Sequence, residues 1–504
     1  MNNIQRAANV TVGDLLRVQA HLRGDQPAVI DGEVKRTYAA FNQRVNQLAN
    51  DLIDQGIVRG DRVAILSENR MEFLELIFAA AKIGVIVAAQ NWRLAADELS
   101  YCLDLVAPKA ALVSEKHQGL LNTASPAIAE TALRMGERYE ARLAVSSPTE
   151  PDCPVELEDG LIILYTSGTT GRPKGALISH RAMIARFEVM AFDCGLSKGD
   201  TTFVWPPMFH MSGTDASIGA LISGGQLIIS DGPDVDRMVD AINRERLGRL
   251  SIMPGMIQPL IKKLRERDVR PKGIKQIGAM ADLVPPREIA EITQILNAPY
   301  TNTFGATETG LAPASAGLLE IGVPPQNLAK TQTSFCAIKL VDEHDNEVPD
   351  GQPGELAIRS ATMFSGYWNA DEVNAQDFRG GWFHMGDVFV RNPDGTLSFV
   401  DRVKYLIKSG GENIYPAEIE RVIMADPRVS DAVVVRQDDK QWGEVPVAFV
   451  SRHDDTLNEA EIFAWCREQL AGYKQPKAIH FVAFDRFPRS TTGKIQRHEV
   501  ESWL

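Results

Sequence analysis

At 504 residues the chain is too long for one hydrophobic core, so two or more domains are expected. With 44% hydrophobic and 24% charged residues it has the composition of an ordinary globular protein, not a disordered one. Fifty-three basic against 66 acidic residues leave a net charge of −13 with no basic block, which argues against nucleic acid or an anionic membrane as main partner, although a local cluster such as Arg172 and Lys174 can still bind phosphate.

In chain order, MNNIQRAANVTVGDLL holds no apolar core long enough for a signal peptide. RVAILSEN (62–69) reads as a strand and RMEFLELIFAAAKIG (70–84) as a helix ending at Gly84. VIVAAQN reads as a strand, ADELSYCLDLV as a helix and AALVS as a strand. The most apolar window, LELIFAAAKIGVIVAAQ (74–90), is broken by Lys82 and is read as buried helix running into buried strand, not as a membrane span. Residues 116–160 are expected to form a helix and connecting loops. QLIISD then precedes the helical VDRMVDAINRERLG, and LSIMP follows as a strand. Continuous apolar strands alternating with helices predict an α/β fold, with a large N-terminal domain of parallel β-sheets covered by helices.

After about residue 400 the elements shorten: GTLSFVDRVKYLIKSGGENIYPAEIERVI passes from strand through a glycine-bearing link into a helix. DAVVVRQ, VPVAFVS, EAEIFAWCREQL and AIHFVAF then suffice for a small α+β domain. The expected organisation is a domain over 1–400, a link at 401–404 and a C-terminal domain over 405–504. The cysteines at 102, 153, 194, 336 and 466 never stand in CxxC spacing, which fits reduced thiols of a cytoplasmic protein better than a disulfide frame or a zinc site.

LYTSGTTGRPKG (164–175) follows the apolar run Leu161–Leu164. Gly168, Gly171 and Gly175 permit positive φ and close backbone approach. Thr166, Ser167, Thr169 and Thr170 offer hydroxyls and Lys174 a cation, a combination able to wrap the oxygens of a polyphosphate. Ligands of parallel α/β folds gather beyond the carboxyl ends of strands, where this loop is expected. The spacing is not GxxxxGK[ST], because Pro173 stands where the second Gly should be and Gly175 follows Lys174. On composition alone, a flexible surface turn is the alternative.

The string from Tyr165 to Gly175 resembles the phosphate loop of the acyl-adenylate-forming superfamily: acyl- and aryl-CoA synthetases, beetle luciferases and nonribosomal-peptide adenylation domains. Further segments follow in the order of that family. WPPMFHMSG (205–213) resembles its aromatic-His segment, and NTFGATETG (302–310) its YGxTE motif with Phe304 for Tyr. GWFHMGD (381–387) resembles the segment ending in a ribose-binding Asp. DRVKYLIKSGGENIYPAEIE (401–420) resembles the hinge and following loop, and PRSTTGKIQR (488–497) the terminal Lys motif.

The resemblance implies two steps using ATP, Mg²⁺ and coenzyme A. A carboxylate attacks the α-phosphorus of ATP to give an acyl-adenylate and pyrophosphate; a thiol then attacks the acyl carbon and expels AMP. Neither step needs a protein nucleophile, so positioning and charge stabilisation carry the catalysis. The resemblance assigns ATP to Thr166, Ser167, Gly168, Thr169, Thr170, Gly171 and Lys174, and to Thr303, Phe304 and Gly305. It puts Thr307 on the α-phosphate, Glu308 at Mg²⁺, Asp387 on both ribose hydroxyls and Arg402 in support of ribose or phosphates. Lys494 is implied as the cation bridging acid and α-phosphate oxygens, with His210 beside it among the catalytic residues. The C-terminal domain is implied to be mobile about Lys404, bringing Lys408, Ser409, Gly410 and Gly411 to the pantetheine arm of CoA. Arg93, Trp442, Tyr473 and Lys477 correspond to CoA-nucleotide contacts. Plainer readings stand beside these: a helix cap for Thr307 and Glu308, a turn Asp for Asp387, a surface Arg for Arg402, a solvated Lys494, and surface packing for the last four.

By the same resemblance the acid lies among Phe209, His210, Ser212, Ala279, Met280, Phe304 and Ala312. Most are apolar or aromatic, which favours an uncharged tail, aryl or medium-length aliphatic. The alternative for His210 read alone is a satisfied core histidine. FHMSG differs from the segment that supplies an amine-binding Asp in amino-acid adenylating domains, yet Asp215 and Asp282 lie nearby in sequence. Where relatives carry a Gly-Ser-Val-Gly-x-Pro loop, this chain reads LAKTQTSF (328–335). The leading expectation is an acid:CoA ligase. The alternatives are an enzyme loading a carrier-protein phosphopantetheine and a non-catalytic adenylate-binding relative, against which the retention of Lys174, Glu308, Asp387 and Lys494 speaks. Expected partners are a carboxylic acid, ATP and CoA, with no nucleic acid and no integral membrane segment; a homodimer is left open.

Overall fold

The computed structural model describes residues 3–166, 172–410, 412–489 and 495–504. They form two compact units, Met1–Ala337 with Arg359–Arg379, and Ile338–Ile358 with Gly380–Leu504.

In the first unit the apolar window is the helix Met71–Ile83 followed by the strand Ile86–Ala89. The helix is buried nearly all round and ends where Gly84 adopts φ 69° and its N–H bonds Ala80. Lys82, the residue that interrupts the window, is itself buried: its Nζ donates to Asn42 Oδ1 at 2.7 Å, Asn46 Oδ1 at 2.7 Å and Glu150 Oε1 at 2.5 Å. A buried ammonium is tolerable only with its donors so occupied. Among the described residues no helix is long and apolar enough to cross a membrane.

The expected parallel sheets are present. Among the described residues, one sheet runs in the order 133–134, 110–113, 62–66, 86–89, 160–166, 174–179 and is parallel except at its last pair. A second runs 318–319, 300–301, 274–277, 247–250, 201–204, 226–229, 27–31, 34–37, parallel inside and antiparallel at both edges. Residues 116–160 hold the helices Gln118–Ala124, Pro126–Thr131 and Glu137–Val145.

Two local expectations shift. The helix read over 235–248 stops at Arg244, because Glu245 turns to φ −124°, ψ 154°. The following strand is Leu247–Leu250 and not LSIMP. Gly248 lets it through: a Cβ there would stand 2.7 Å from Asp200 Cβ. The glycine-rich stretch does leave the carboxyl end of a parallel strand, Gly160–Thr166, but the chain returns as an antiparallel neighbour, Lys174–Ser179, with Thr166 opposite Lys174.

In the second unit, Pro353–Ser360, Phe383–Arg391 and Leu397–Arg402 pair antiparallel. A further sheet joins 412–414, 407–409, 443–452 and 429–439, with 478–481 parallel to 443–452. Strand alternation divides its faces. Val434 packs with Ile419, Ile423, Ile462 and Cys466, whereas Val433 and Val435 face Phe487 and Val500. The expected link at 401–404 falls within this unit, in and beside the turn Val403–Tyr405. There the buried Asp401 accepts from Ala417 N at 2.7 Å and caps the helix Pro416–Met424.

Candidate active site

Of the residues expected to act, Ser167, Gly168, Thr169, Thr170, Gly171, Gly411 and Lys494 lie outside the described residues. Thr166 and Lys174, which flank the first group, sit opposite each other in the ladder. The segment 365–368 adds itself alongside: Ser365 N donates to Leu177 O at 2.7 Å and Trp368 N to Gly175 O at 2.8 Å. This edge pairing brings Tyr367 to Lys174, whose Nζ stands 4.3 Å from the ring centroid and 3.9 Å from Asp377 Oδ2. Tyr367 Oη donates to Glu308 Oε1 at 2.8 Å. Asn374 orients the tyrosine from both sides, accepting from its N at 2.7 Å and donating to its O at 2.9 Å. The structure therefore joins Lys174 and Glu308 through a residue the sequence reading did not mark. Its only local signal is a Tyr after a turn glycine, Gly366 at φ 102°.

Thr307 and Glu308 occupy the turn of a short hairpin, Gly305–Ala306 against Gly310–Pro313. The hairpin closes because position 305 has no side chain: a Cβ would stand 2.0 Å from Gly310 O. Thr309 is buried inside it, accepting from Ala306 N at 3.1 Å and donating to Ala312 O at 2.5 Å. Beneath lies Arg186, 4% exposed. Its Nη2 donates to Thr307 O at 2.8 Å and its Nε to Thr362 O at 3.1 Å, while Nη1 stands 3.3 Å from Asp215 Oδ2. Gly310, at φ 69°, makes room for it, since a Cβ would meet Arg186 Cγ at 2.8 Å. Phe364 N donates to Glu308 O at 2.8 Å. The backbone presenting Thr307 and Glu308 is thus held from two sides, and Arg186 is a second residue missed from sequence.

The expected acid-pocket residues gather in two sets. Asn69 anchors the first: its Nδ2 donates to Trp205 O, Pro206 O and Ser230 O at 2.9–3.1 Å, and its Oδ1 accepts from Met208 N at 2.8 Å. His210 caps the helix Met211–Ile222, Nδ1 accepting from Ser212 N at 3.3 Å. It is half-buried, neither wholly a core histidine nor a surface one. Phe209 packs edge-on against Trp92 at 6.1 Å, and Arg93 lies 4.9 Å over Trp92 and 5.8 Å over Phe209.

In the second set, Met280 (φ 49°) donates its N–H to Thr303 Oγ1 at 3.2 Å, and Ala279 O accepts from Tyr300 Oη at 3.0 Å. Phe304 N donates to Ser315 Oγ at 2.9 Å, and Ala312 is buried. The divergent LAKTQTSF segment is stitched on here: Thr333 N donates to Pro313 O at 2.7 Å. The buried Lys330 donates to Asp282 and Asn302, and burial pulls its pKa down.

In the second unit Asp387, 2% exposed, lies opposite Arg402, whose Nε stands 3.0 Å from its Oδ1. Lys404 is exposed, its Nζ 4.8 Å over Tyr405. Gly410 (φ 60°) donates to Trp442 O at 2.7 Å and lies against that indole, where a Cβ would meet Cε3 at 2.8 Å. Lys408 and Ser409 belong to the strand that reaches Gly443, so this loop and Trp442 are neighbours. Tyr473 and Lys477 are exposed on and just after the short turn Gly472–Lys474.

No group of three or more His, Cys, Asp or Glu able to hold a metal occurs among the described residues. Magnesium is usually held by one or two carboxylates plus substrate phosphates, and the partly exposed Glu308 fits that role.

A family model described as AMP-binding enzyme matches residues 16–368, and one described as AMP-binding enzyme C-terminal domain matches 418–494. The chain is 32% identical over 488 residues to a feruloyl-CoA synthase of an Amycolatopsis species, covering 96% of each chain. It is 30% identical over 493 residues to a 2-succinylbenzoate–CoA ligase of Bacillus licheniformis, covering 96% of this chain and 98% of the other. The o-succinylbenzoate CoA synthetase from Bacillus subtilis, solved in complex with the acyl-adenylate intermediate OSB-AMP, superposes with a TM-score of 0.84 at 25% identity, covering 97% of each chain.

Proposed function

This chain belongs to the AMP-binding enzyme family, and we propose that it is an AMP-forming acid:CoA ligase acting on an acid with an apolar aryl or medium-chain body. The observation that carries the reading is the Lys174–Tyr367–Glu308 cluster: an ammonium and a carboxylate joined by a phenol where the glycine- and hydroxyl-rich loop begins and ends. A polyphosphate with its magnesium needs those groups together, and a fold-only role for the loop does not.

In this reading Lys174 and the loop hydroxyls take phosphate oxygens, while Tyr367 and Arg186 keep Glu308 and Thr307 facing them. Magnesium, when bound at Glu308, supplies charge neutralisation on the phosphates. Thr307 donates to the α-phosphate and Lys494 bridges it to the acid. Asp387 and Arg402 take the ribose. Adenylation forms a bond from acid oxygen to the α-phosphorus and releases pyrophosphate. Thioester formation makes the sulfur–carbon bond and expels AMP. No protein atom enters a covalent intermediate, so preorganised charge must supply the acceleration.

Losing one preorganised donor typically costs about 2.7–4 kcal/mol, or ~10²–10³ in rate. Lys494→Ala should therefore nearly abolish pyrophosphate release from acid and ATP while sparing thioester formation from synthetic acyl-adenylate. Equal loss in both assays would refute the role of Lys494. Transfer to a carrier protein but not to CoA would favour the carrier-loading alternative. The reading places the enzyme in the cytoplasm, treats Lys404 as the pivot between half-reactions, assigns Lys408–Gly411 with Trp442 to CoA, and leaves room for a homodimer.

A further inference from the structure

We infer that the acid carries a second anionic group, a carboxylate remote from the one that reacts, and that Arg249 receives it. The inference rests on the ligase reading and deepens it.

Arg249 lies in the strand Leu247–Leu250, inside the larger parallel sheet, with Thr202 and Gln276 as its register neighbours. Interior strands of such sheets are ordinarily apolar on both faces, and a guanidinium among them is costly unless paired. Its neighbour Gln276 is satisfied, accepting from Thr301 Oγ1 at 2.6 Å and donating to Cys194 O at 3.5 Å. Arg249 is not. Its Nε is buried without a hydrogen-bond partner among the described residues, and Nη1 reaches only Met190 Sδ at 3.7 Å, a weak acceptor.

The nearest acid cannot neutralise it. Asp215 is engaged by Arg186, whose Nη1 stands 3.4 and 3.3 Å from its two carboxylate oxygens. Two guanidiniums thus stand near one carboxylate, and the contacts of that carboxylate go to Arg186 and not to Arg249. An amine-bearing acid is disfavoured for the same reason: the Asp that would receive it is taken, and a cation stands behind it.

The position fits the far end of the acid site. Asp215 belongs to the helix Met211–Ile222, which also carries the expected lining Ser212. Arg249 also interacts electrostatically with Tyr300, whose hydroxyl bonds Ala279 O and whose ring occupies the space beside Gly278. Arg249 is thus flanked by Gln276, in the strand that leads into Ala279 and Met280, and lies within electrostatic reach of Asp215 on the helix that His210 caps, while Arg186 links Asp215 to Thr307 O. A carboxylate arriving there would meet a planar donor fork suited to it.

The test uses the full chain with MgATP and pairs of acids alike except for a remote carboxylate, such as hexanoate with adipate and 3-phenylpropanoate with 3-(4-carboxyphenyl)propanoate. Pyrophosphate release should show kcat/KM higher for the dicarboxylate by on the order of 10²- to 10³-fold. Arg249→Met should erase that preference, mainly by raising KM for the dicarboxylate. The ligand-free variant should melt at or above the wild-type midpoint, since a half-buried cation with no carboxylate contact is lost. Arg249→Lys should keep part of the preference, and it decides the matter alongside the wild-type pairs should the Met variant fail to fold. A wild-type preference for monocarboxylates, or equal loss for both acids in Arg249→Met, overturns the inference alone. Absence of pyrophosphate release with every acid overturns the ligase reading with it.

Discussion

Tyr367→Phe removes one hydroxyl and keeps the ring. The hydroxyl donates to Glu308 Oε1 at 2.8 Å, while the ring lies 4.3 Å from Lys174 Nζ. A hydrogen bond to a charged group contributes about 1.5–3 kcal/mol when the site is dry. Glu308 is half-buried, so water replaces part of it, and about 1–1.5 kcal/mol remains, a five- to fifteen-fold loss in adenylation rate. Tyr367→Leu also removes the ring, and with it a cation–π contribution of about 0.5–2 kcal/mol, so the combined loss reaches roughly 10²-fold. The assay is acid-dependent pyrophosphate release at saturating MgATP, beside thioester formation from synthetic acyl-adenylate. The first should fall in the order wild type, Phe, Leu; the second should hardly move. If Phe matches wild type, or if both half-reactions fall together, Tyr367 does not act through Glu308 and Lys174.

Gly213→Ala would place a Cβ 2.3 Å from Pro207 O and 2.5 Å from Pro206 O, the latter held by Asn69. Overpacking of this kind costs about 1–3 kcal/mol, read as a lower denaturant midpoint and a higher KM for the acid, whereas Gly119→Ala, with nothing within 4 Å, should change neither. His180 is wholly buried, its Nδ1 accepting from Val12 N at 3.2 Å, and burial pulls its pKa from 6.5 to about 4. Only the unfolded chain takes up this proton between those values, so stability is full above pH 6.5 and falls towards pH 4 at about 1.4 kcal/mol per unit, ~3 kcal/mol in all. Unfolding midpoints of wild type and His180→Gln at pH 7 and 5 check this, and equal slopes would contradict it. Lys404→Pro should leave pyrophosphate release intact and slow thioester formation; an unimpaired second step would remove Lys404 as the pivot.

Much of the fold was legible because it is written locally. Met71–Ile83 and its glycine stop follow from a run of apolar residues closed by Gly84. The parallel sheets follow from continuous apolar strands separated by helices. Legibility failed where a local pattern had two solutions. The periodicity of VDRMVDAINRERLG continues past the point where Glu245 extends, and only Asp200 packed against Gly248 shows that a strand has begun. In the site, Thr307, Glu308 and Lys174 were marked by motif, but Tyr367 was not, because 59 residues separate it from Glu308. Arg186 stands 121 residues from Thr307, in the helix His180–Cys194, and gave no signal at all.

By itself the sequence determined the family, the order of the elements and which short segments match the family's motifs, since each is encoded in neighbouring residues. Only the tertiary structure decided which side chains support those segments. It laid 365–368 beside Lys174–Ser179 and set Arg186 under the 305–313 hairpin. It also left Arg249 inside a sheet with its carboxylate neighbour already taken. Such pairings depend on desolvation and on partners far apart in the chain, and no window of adjacent residues contains either.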